Sequence, residues 1–399
     1  MVHTPLQPFS QIRLDPSPLP IESFGPISLL VLQGTSLCNL NCDYCYLPDR
    51  HLKNQISLDL LEPIFEKVFT SRFLERKFTV CWHAGEPLTL PIKFYEAALA
   101  KIEDLSEKYN HKKVDVSFAI QTNGTLINQS WCDFFKKHSF KVGVSIDGPK
   151  FLHDAHRKTW KDQGTYDQTM RGIKFLQKNN IAFHTISVLT QESLKYPDEL
   201  FKFFVDNKIQ RAGFNVEETE GVNAQSSLQE TDTEEKFKVF MQRIWELNKA
   251  AKGILKIREF ERICGLIHSG FKIEKSDLTR PFSLINIDNK GNFCTYSPEL
   301  LGMKDDVYGD TILGNVLTDS FESVCETEKF RRLYTDIEAG RQLCEDTCQY
   351  FSVCGGGAPS NKFWENHSFR SSETQFCRLS KKIVTDIVLE DLESSLGLR

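Results

Sequence analysis

From residue 27 onward, short apolar runs alternate with longer amphipathic stretches. The runs at 27–33, 78–82, 114–120, 141–146, 181–189 and 210–216 read as strands. Between them, 57–70, 92–109, 128–138, 165–179 and 197–208 carry helical periodicity. Ser57, Pro91, Asn128 and Pro197 stand where capping residues and N-terminal prolines belong. Six β–α repeats predict an α/β fold with a parallel sheet and right-handed crossovers. Six rather than eight predicts an open, partial (β/α)6 barrel of the TIM type, with its chemistry at the C-terminal ends of the strands.

Outside that pattern, residues 1–26 are rich in Pro and polar groups and read as an extended N-terminal arm. Residues 218–233 read as a loop or linker, and charged helices follow at about 233–252 and 256–270. Together they read as a connector rather than a site. Ser283–Ile287 and Asn292–Cys294 flank Asp288-Asn289-Lys290-Gly291, a hairpin with Gly at its turn. The expected division is an arm at 1–26, a barrel at 27–220, a helical connector at 221–279 and a C-terminal module at 280–399.

Composition narrows the classes. A hydrophobic fraction of 40% and a charged fraction of 26% are ordinary for a globular protein. A net charge of −5 gives no general attraction to nucleic acid or to an anionic membrane. No apolar run approaches the roughly 20 residues of a membrane span, and Met1–Pro5 lacks the layout of a secretory signal. The expected location is the cytoplasm, without membrane or nucleic-acid partners. There, 12 cysteines point to metal or catalysis rather than disulfides. Cys81, Cys132, Cys264 and Cys325 stand alone and read as small buried hydrophobes.

Cys38, Cys42 and Cys45 fall within eight residues, directly after the first apolar run. Three thiolates on one loop can hold three corners of an iron–sulfur cubane. With no fourth thiol nearby, one iron keeps a position open for an outside ligand; a zinc site or unrelated core cysteines are the plainer alternatives. Further polar motifs close the other strands. His83-Ala84-Gly85-Glu86-Pro87 is a Gly-containing turn whose carbonyls can accept from an ammonium, with Ala84 expected at φ < 0. The amides of Gln121 and Asn123 suit ribose hydroxyls. Ser145 and Asp147 end the fourth strand, and Arg157 offers a bidentate grip on a carboxylate, or else a surface pair with Asp154. Val188-Leu189 can pack on an adenine, and Asn215 to Glu218 can face the site from the last strand. In the C-terminal module, Cys344, Cys348, Cys354 and Cys377 have the spacing of a closed four-thiolate site, for zinc or a second cluster.

The C-x3-C-x2-C loop, with Tyr44 before its last Cys, resembles the radical S-adenosylmethionine (SAM) enzymes. That resemblance implies a [4Fe–4S] cluster whose open iron chelates SAM. The 83–87 turn resembles the Gly-Gly-Glu-Pro motif that binds the SAM amino group, and Ser145 with Arg157 would hold its carboxylate. The C-terminal half resembles a SPASM domain. The thiols expected ahead of the hairpin (Arg280-Pro281-Phe282) and after Cys354 (Gly355 to Pro359) are missing. One auxiliary [4Fe–4S] cluster is therefore expected, on Cys344, Cys348, Cys354 and Cys377, with Cys294 a spare thiol. Ser23–Pro26, Tyr44–Arg50, Trp82-His83, Ser297–Gly302 and Cys354–Lys362 resemble the GrrM-type cyclophane-forming peptide maturases. This implies a ribosomal precursor peptide as substrate and a flavodoxin- or ferredoxin-type electron donor. It also implies a ring proton to be removed by a base, with Glu299 the first candidate and Tyr296 the second.

Overall fold

The computed structural model describes residues 18–75 and 77–398. The N-terminal arm up to residue 17 lies outside them. The expected repeats appear as β1 (Leu29–Leu32), β2 (Phe78–Trp82), β3 (Val116–Thr122), β4 (Lys141–Ser145), β5 (Phe183–Leu189) and β6 (Arg211–Val216). They pair in parallel and in chain order. Between them run α1 (Leu61–Thr70), α2 (Ile92–Tyr109), α3 (Gln129–Lys137), α4 (Lys150–His156), α5 (Tyr166–Lys178) and α6 (Pro197–Asp206). The Asn128 side chain caps α3 by accepting from the Trp131 N–H. Helix α4 carries no sequence expectation; it is a short helix of about two turns inside the β4–β5 crossover.

The sheet does not stop at six strands. β7 (Lys256–Ile257) adds to β6, so the connector, with α7 (Thr233–Ala250) and α8 (Arg258–Ser269), closes one edge of the barrel. At the other edge the C-terminal hairpin, β8 (Leu284–Ile287) and β9 (Asn292–Thr295), joins the same sheet. β8 pairs parallel to β1, Leu29 opposite Leu284 and Leu32 opposite Ile287. The boundary expected at 280 therefore cuts through hydrogen-bonded neighbours. Phe282, just before β8, stacks on Phe73 with ring centroids 4.7 Å apart. Phe24 packs against Phe73, Phe282, Phe330 and Tyr334. The last residues of the arm are thus a core wedge rather than an extended tail.

Alternation along the strands sets the two faces. Leu30, Leu32, Val80, Trp82, Ile120, Val142, Val144 and Phe214 are buried under the helices. Cys81, Ala119, Gln121, Ser145, Ile186 and Val188, each offset by one, face the concave side. Leu189 belongs to the first set, fully buried on the helix-covered face. The expected adenine contact therefore cannot come from Leu189; Val188 is the residue of that pair on the concave side. Of the solitary cysteines, Cys132 and Cys325 are buried, whereas Cys81 and Cys264 are partly exposed. Among the described residues, no helix is long and apolar enough to cross a membrane.

Candidate active site

The loop carrying Cys38, Cys42 and Cys45 leaves the C-terminal end of β1 without regular structure of its own. Its neighbours hold it instead. The Trp160 indole N–H donates to the Cys38 carbonyl at 2.9 Å, and Arg50 Nη1 donates to the Cys42 carbonyl at 3.1 Å. The Asn41 N–H donates to the Lys158 carbonyl, and Leu40 bridges to Thr159. On the other side Asn39, Asn123 and Thr125 close a ring. Asn39 Nδ2 donates to Thr125 Oγ1, Asn123 Nδ2 donates to Asn39 Oδ1, and Asn123 Oδ1 accepts from Thr125. Asn123, expected on a ribose, is spent on tying the loop to the end of β3.

The turn after β2 locks onto the same loop. The Glu86 N–H donates to the Leu37 carbonyl at 2.8 Å. A Cβ on Gly85 (φ +57) would lie 2.6 Å from the Thr35 carbonyl oxygen. This close approach winds both residues left-handed. Ala84 sits at φ +73, against the expectation of φ < 0, an unfavourable conformation for a residue with a Cβ. The buried Glu86 carboxylate accepts from Thr122 Oγ1 (2.6 Å), the Asn123 N–H (2.7 Å) and the Leu88 N–H (2.9 Å). Burial nonetheless pushes it up to about 7. It braces the turn against β3 from behind.

Asp147, Arg157 and Tyr44 form the third wall. Asp147 Oδ2 accepts from Arg157 Nε at 2.9 Å and from the Tyr44 hydroxyl, while Oδ1 accepts from the Val188 N–H at 3.0 Å. The guanidinium lies 5.5 Å from the Tyr44 ring centroid. Asp154 pairs with Lys150, not Arg157. Asp147 therefore has no carboxylate oxygen left unpaired, and its effect on any ligand is through Arg157 and Tyr44. Burial is the largest influence on Asp147 and opposes its ionisation, but the Arg157 guanidinium, His153 and the Tyr44 hydroxyl together outweigh it and hold the carboxyl below its ordinary range. His153 completes the set. It accepts the Asp147 N–H on Nδ1, and its Nε2 meets Thr165 Oγ1, which itself donates to the Arg157 carbonyl. Nε2 must then be the donor and the ring neutral, in keeping with burial lowering it to about 4.

Burial lifts the Cys38 thiol to about 12 and the Cys42 thiol to about 11, and the neighbouring thiols add to the effect. Thiols so disposed ionise when a metal takes them. Among the described residues, no three His, Cys, Asp or Glu side chains converge as ligands of one bare ion. Three thiols spread along a loop suit the corners of a cluster better.

The second thiol group gathers around one cavity. Cys344 lies in the last turn of the helix Glu328–Thr347, Cys348 caps it, Cys354 ends Phe351–Cys354, and Cys377 follows the Thr374 cap. All four line one cavity of about 120 Å³, together with Lys362, Lys381 and Lys382. Lys362 Nζ lies 3.3 Å from Cys344 Sγ and donates to the Gly340 carbonyl at 2.7 Å. Four sulfurs around one hollow, with ammonium groups in its wall, match an anionic cluster. Cys294 stands apart, buried and accepting from Asn286 Nδ2.

Residues 32–204 match the Radical SAM superfamily. The uncharacterized protein sll1766 of Synechocystis sp. is 53% identical over 378 residues, 95% of each chain. The chain belongs to the radical SAM superfamily. It is an enzyme that uses SAM and a [4Fe–4S] cluster for radical chemistry. A cysteine-type anaerobic sulfatase-maturating enzyme of Clostridium novyi is 34% identical over 184 residues, 45% of this chain and 48% of its own. The fold is shared more widely than the sequence. Native anSMEcpe with bound AdoMet superposes with a TM-score of 0.73 at 21% identity, covering 94% of this chain and 100% of that one. SuiB of Streptococcus suis bound to precursor peptide SuiA superposes at 0.61 and 16%, covering 89% and 76%.

Within this radical SAM fold, Gln121 and Ser145 meet on the concave face, Gln121 Nε2 donating to Ser145 Oγ at 3.0 Å. Tyr296 does not reach the site. It is fully buried in the C-terminal core, near Tyr334, Glu338 and Cys325, with its hydroxyl unpartnered. Its burial, just past β9 at φ +80, removes it as a base. Glu299 does reach a cavity between barrel and C-terminal module, as does Tyr46. Residues 218–223 are no linker. The Val222 N–H donates to the Tyr46 carbonyl, and a Cβ on Gly221 would lie 2.3 Å from that oxygen. Glu220 is buried beside Glu218. Sequence reasoning missed Asn39, Trp160, Glu220 and Asn361. Of these, Asn39 and Asn361 lay in stretches singled out by resemblance.

Proposed function

We propose that the chain modifies a ribosomally made precursor peptide, joining an aromatic ring carbon to the β-carbon of a residue two positions later in a three-residue cyclophane. Cys38, Cys42 and Cys45 would hold the SAM-binding cluster; Cys344, Cys348, Cys354 and Cys377 would hold one auxiliary cluster. When bound, the first cluster and SAM supply a 5′-deoxyadenosyl radical able to take a hydrogen from a β-carbon. The chain's own residues orient and receive. The Ala84–Glu86 turn presents backbone groups beside the three-thiol loop, Arg157 carries the positive charge suited to a carboxylate, and Gln121 and Ser145 offer polar atoms on the concave face. Glu299 stands on the wall of the cleft and would accept the ring proton. Electrons would come from a flavodoxin- or ferredoxin-type donor.

The observation that carries this reading is the cavity of about 380 Å³ between the barrel rim and the C-terminal hairpin, bordered by Tyr46 next to Cys45 and by Glu299. It has room for a side chain rather than a whole folded partner. Two relatives by fold carry peptides: anSMEcpe was solved with AdoMet and a Cp18Cys peptide, and SuiB with SuiA. The test is co-expression with the small open reading frame beside the gene. A loss of two hydrogens per ring, with a new carbon–carbon bond by NMR, is the expected outcome. An aldehyde at a Cys or Ser would instead support sulfatase maturation, which the 34% identity to the Clostridium novyi enzyme favours as the second reading.

A further inference from the structure

Glu218, Glu220 and Glu299 form a cluster for which the fold provides no cation. Asn361 Nδ2 donates to Glu218 Oε2 and reaches Glu220 Oε1 at 3.5 Å, so the two carboxyls share one amide. Glu299 bears on both from the hairpin side, and Glu365 lies near Glu218. Among the described residues, no Lys, Arg or His nitrogen stands within ion-pair distance of Glu218, Glu220 or Glu299. Buried carboxylates without a counter-charge are costly, and a fold that keeps them commonly uses them.

A second, independent feature points into the same place. The Tyr46 hydroxyl is enclosed without a hydrogen-bond partner and lies near Glu299, Cys45, Glu220 and Glu218. The Trp364 indole N–H is also enclosed and unpartnered. Both rings line the 380 Å³ cavity with Glu299, and its remaining charged residues are Asp49, Asp288, Lys290 and Lys304. Carboxylates backed by aromatic rings are the recognition chemistry of organic cations.

We infer that this pocket receives a cationic side chain of the peptide substrate, Glu299 meeting it first and the Glu218–Glu220 pair supplying further negative charge from behind. The inference rests on the peptide-modifying reading above and names a feature of its substrate. Burial holds Glu218 at about 8 and Glu220 and Glu299 above their ordinary range. The empty pocket is therefore partly protonated, and an entering cation displaces protons.

The probes are n-butylguanidinium and its neutral isostere n-butylurea, titrated calorimetrically into the reconstituted holoenzyme at pH 6.5 in two buffers of different ionisation heat. Saturable binding of the guanidinium alone, with proton release, is expected. Glu218→Gln and Glu220→Gln should each weaken it at least tenfold while iron content and deoxyadenosine formation from SAM persist. Equal binding of urea and guanidinium, or binding indifferent to both substitutions, overturns the inference. A second arm uses the precursor peptide with each Arg replaced by citrulline and each Lys by norleucine. An unmodified native precursor sinks the cyclophane reading and leaves the calorimetry to decide the pocket. A native precursor that is crosslinked with the same KM as its neutral version, or that has no Lys or Arg, overturns the pocket alone.

Discussion

The three-thiol loop hangs from its surroundings by backbone carbonyls and side-chain amides, while the four-thiol cavity is walled by lysines. At the first, the nearby cations are engaged elsewhere, Arg157 with Asp147 and Tyr44 and Arg50 with the Cys42 carbonyl, and the three thiols stand on a loop at the C-terminal rim of the barrel. At the second, Lys362 lies directly on Cys344 and all four thiols border one hollow. An exchanging ligand requires a coordination position that three thiols leave free; a cluster that only passes electrons gains from a fourth thiol and from charge compensation. Substituting one thiol in each should separate them more than any other change. Cys42→Ser should abolish deoxyadenosine formation. Cys354→Ser should leave SAM cleavage measurable but stop crosslinking. Each should lower iron from about eight to about four per chain. If both lose SAM cleavage alike, the division of labour fails.

The next effect concerns how the open loop is kept in shape. Asp147 is the acceptor for Arg157, Tyr44 and the Val188 N–H together. Asp147→Asn leaves a buried guanidinium uncompensated, which should cost about 3–5 kcal/mol in urea unfolding of the holoenzyme. The paired change Asp147→Leu with Arg157→Met should recover most of that stability yet none of the SAM affinity. Recovery of both would show Arg157 to be structural only.

Much of this was legible before any coordinates. Six strands, their helices and both thiol groups follow from apolar periodicity and cysteine spacing, which are local. Sheet membership is not local. Nothing in Ser283–Ile287 announces that it pairs with β1 some 250 residues earlier. Leu189 was misassigned because a strand's two faces differ by one residue, and an apolar run buried on one side carries no mark of which side. Asn123 and Asp147 carry the polar chemistry expected of ligands, but the fold spends them on Asn39 and Arg157, partners 84 and 10 residues away. Glu220 looked like part of a solvated stretch because composition alone cannot show that a Glu-rich loop is pressed under Tyr46.

That misread loop gives a pH test. Burial places Glu218 at about 8, far above its ordinary 4.5. The folded protein thus keeps a proton that the unfolded chain releases, and stability falls as pH rises through the window from about 4.5 to 8. Glu218→Gln should flatten that fall and raise the melting temperature at pH 8 while changing little at pH 4.5. An unchanged slope would mean the carboxyl is solvated, and the contrast between a lined cleft and a plain loop would vanish.

The smallest expected effect lies at Ala84, where the turn after β2 meets the open loop. With φ +73 the residue bears strain of about 1–2 kcal/mol relative to glycine. Ala84→Gly relieves it but adds freedom to the unfolded chain worth about 0.4–1 kcal/mol. The net gain should therefore be below about 1.5 kcal/mol in urea unfolding. Its sign is informative. The left-handed turn is imposed by Gly85 against Thr35 and by Glu86 on Leu37, so glycine should keep the turn and stabilise it. A destabilised Ala84→Gly variant would mean that the Ala84 methyl, buried in the present packing, is itself a contact holding the open loop in place. The rim would then depend on side-chain packing as the four-thiol cavity does, and not on backbone geometry alone.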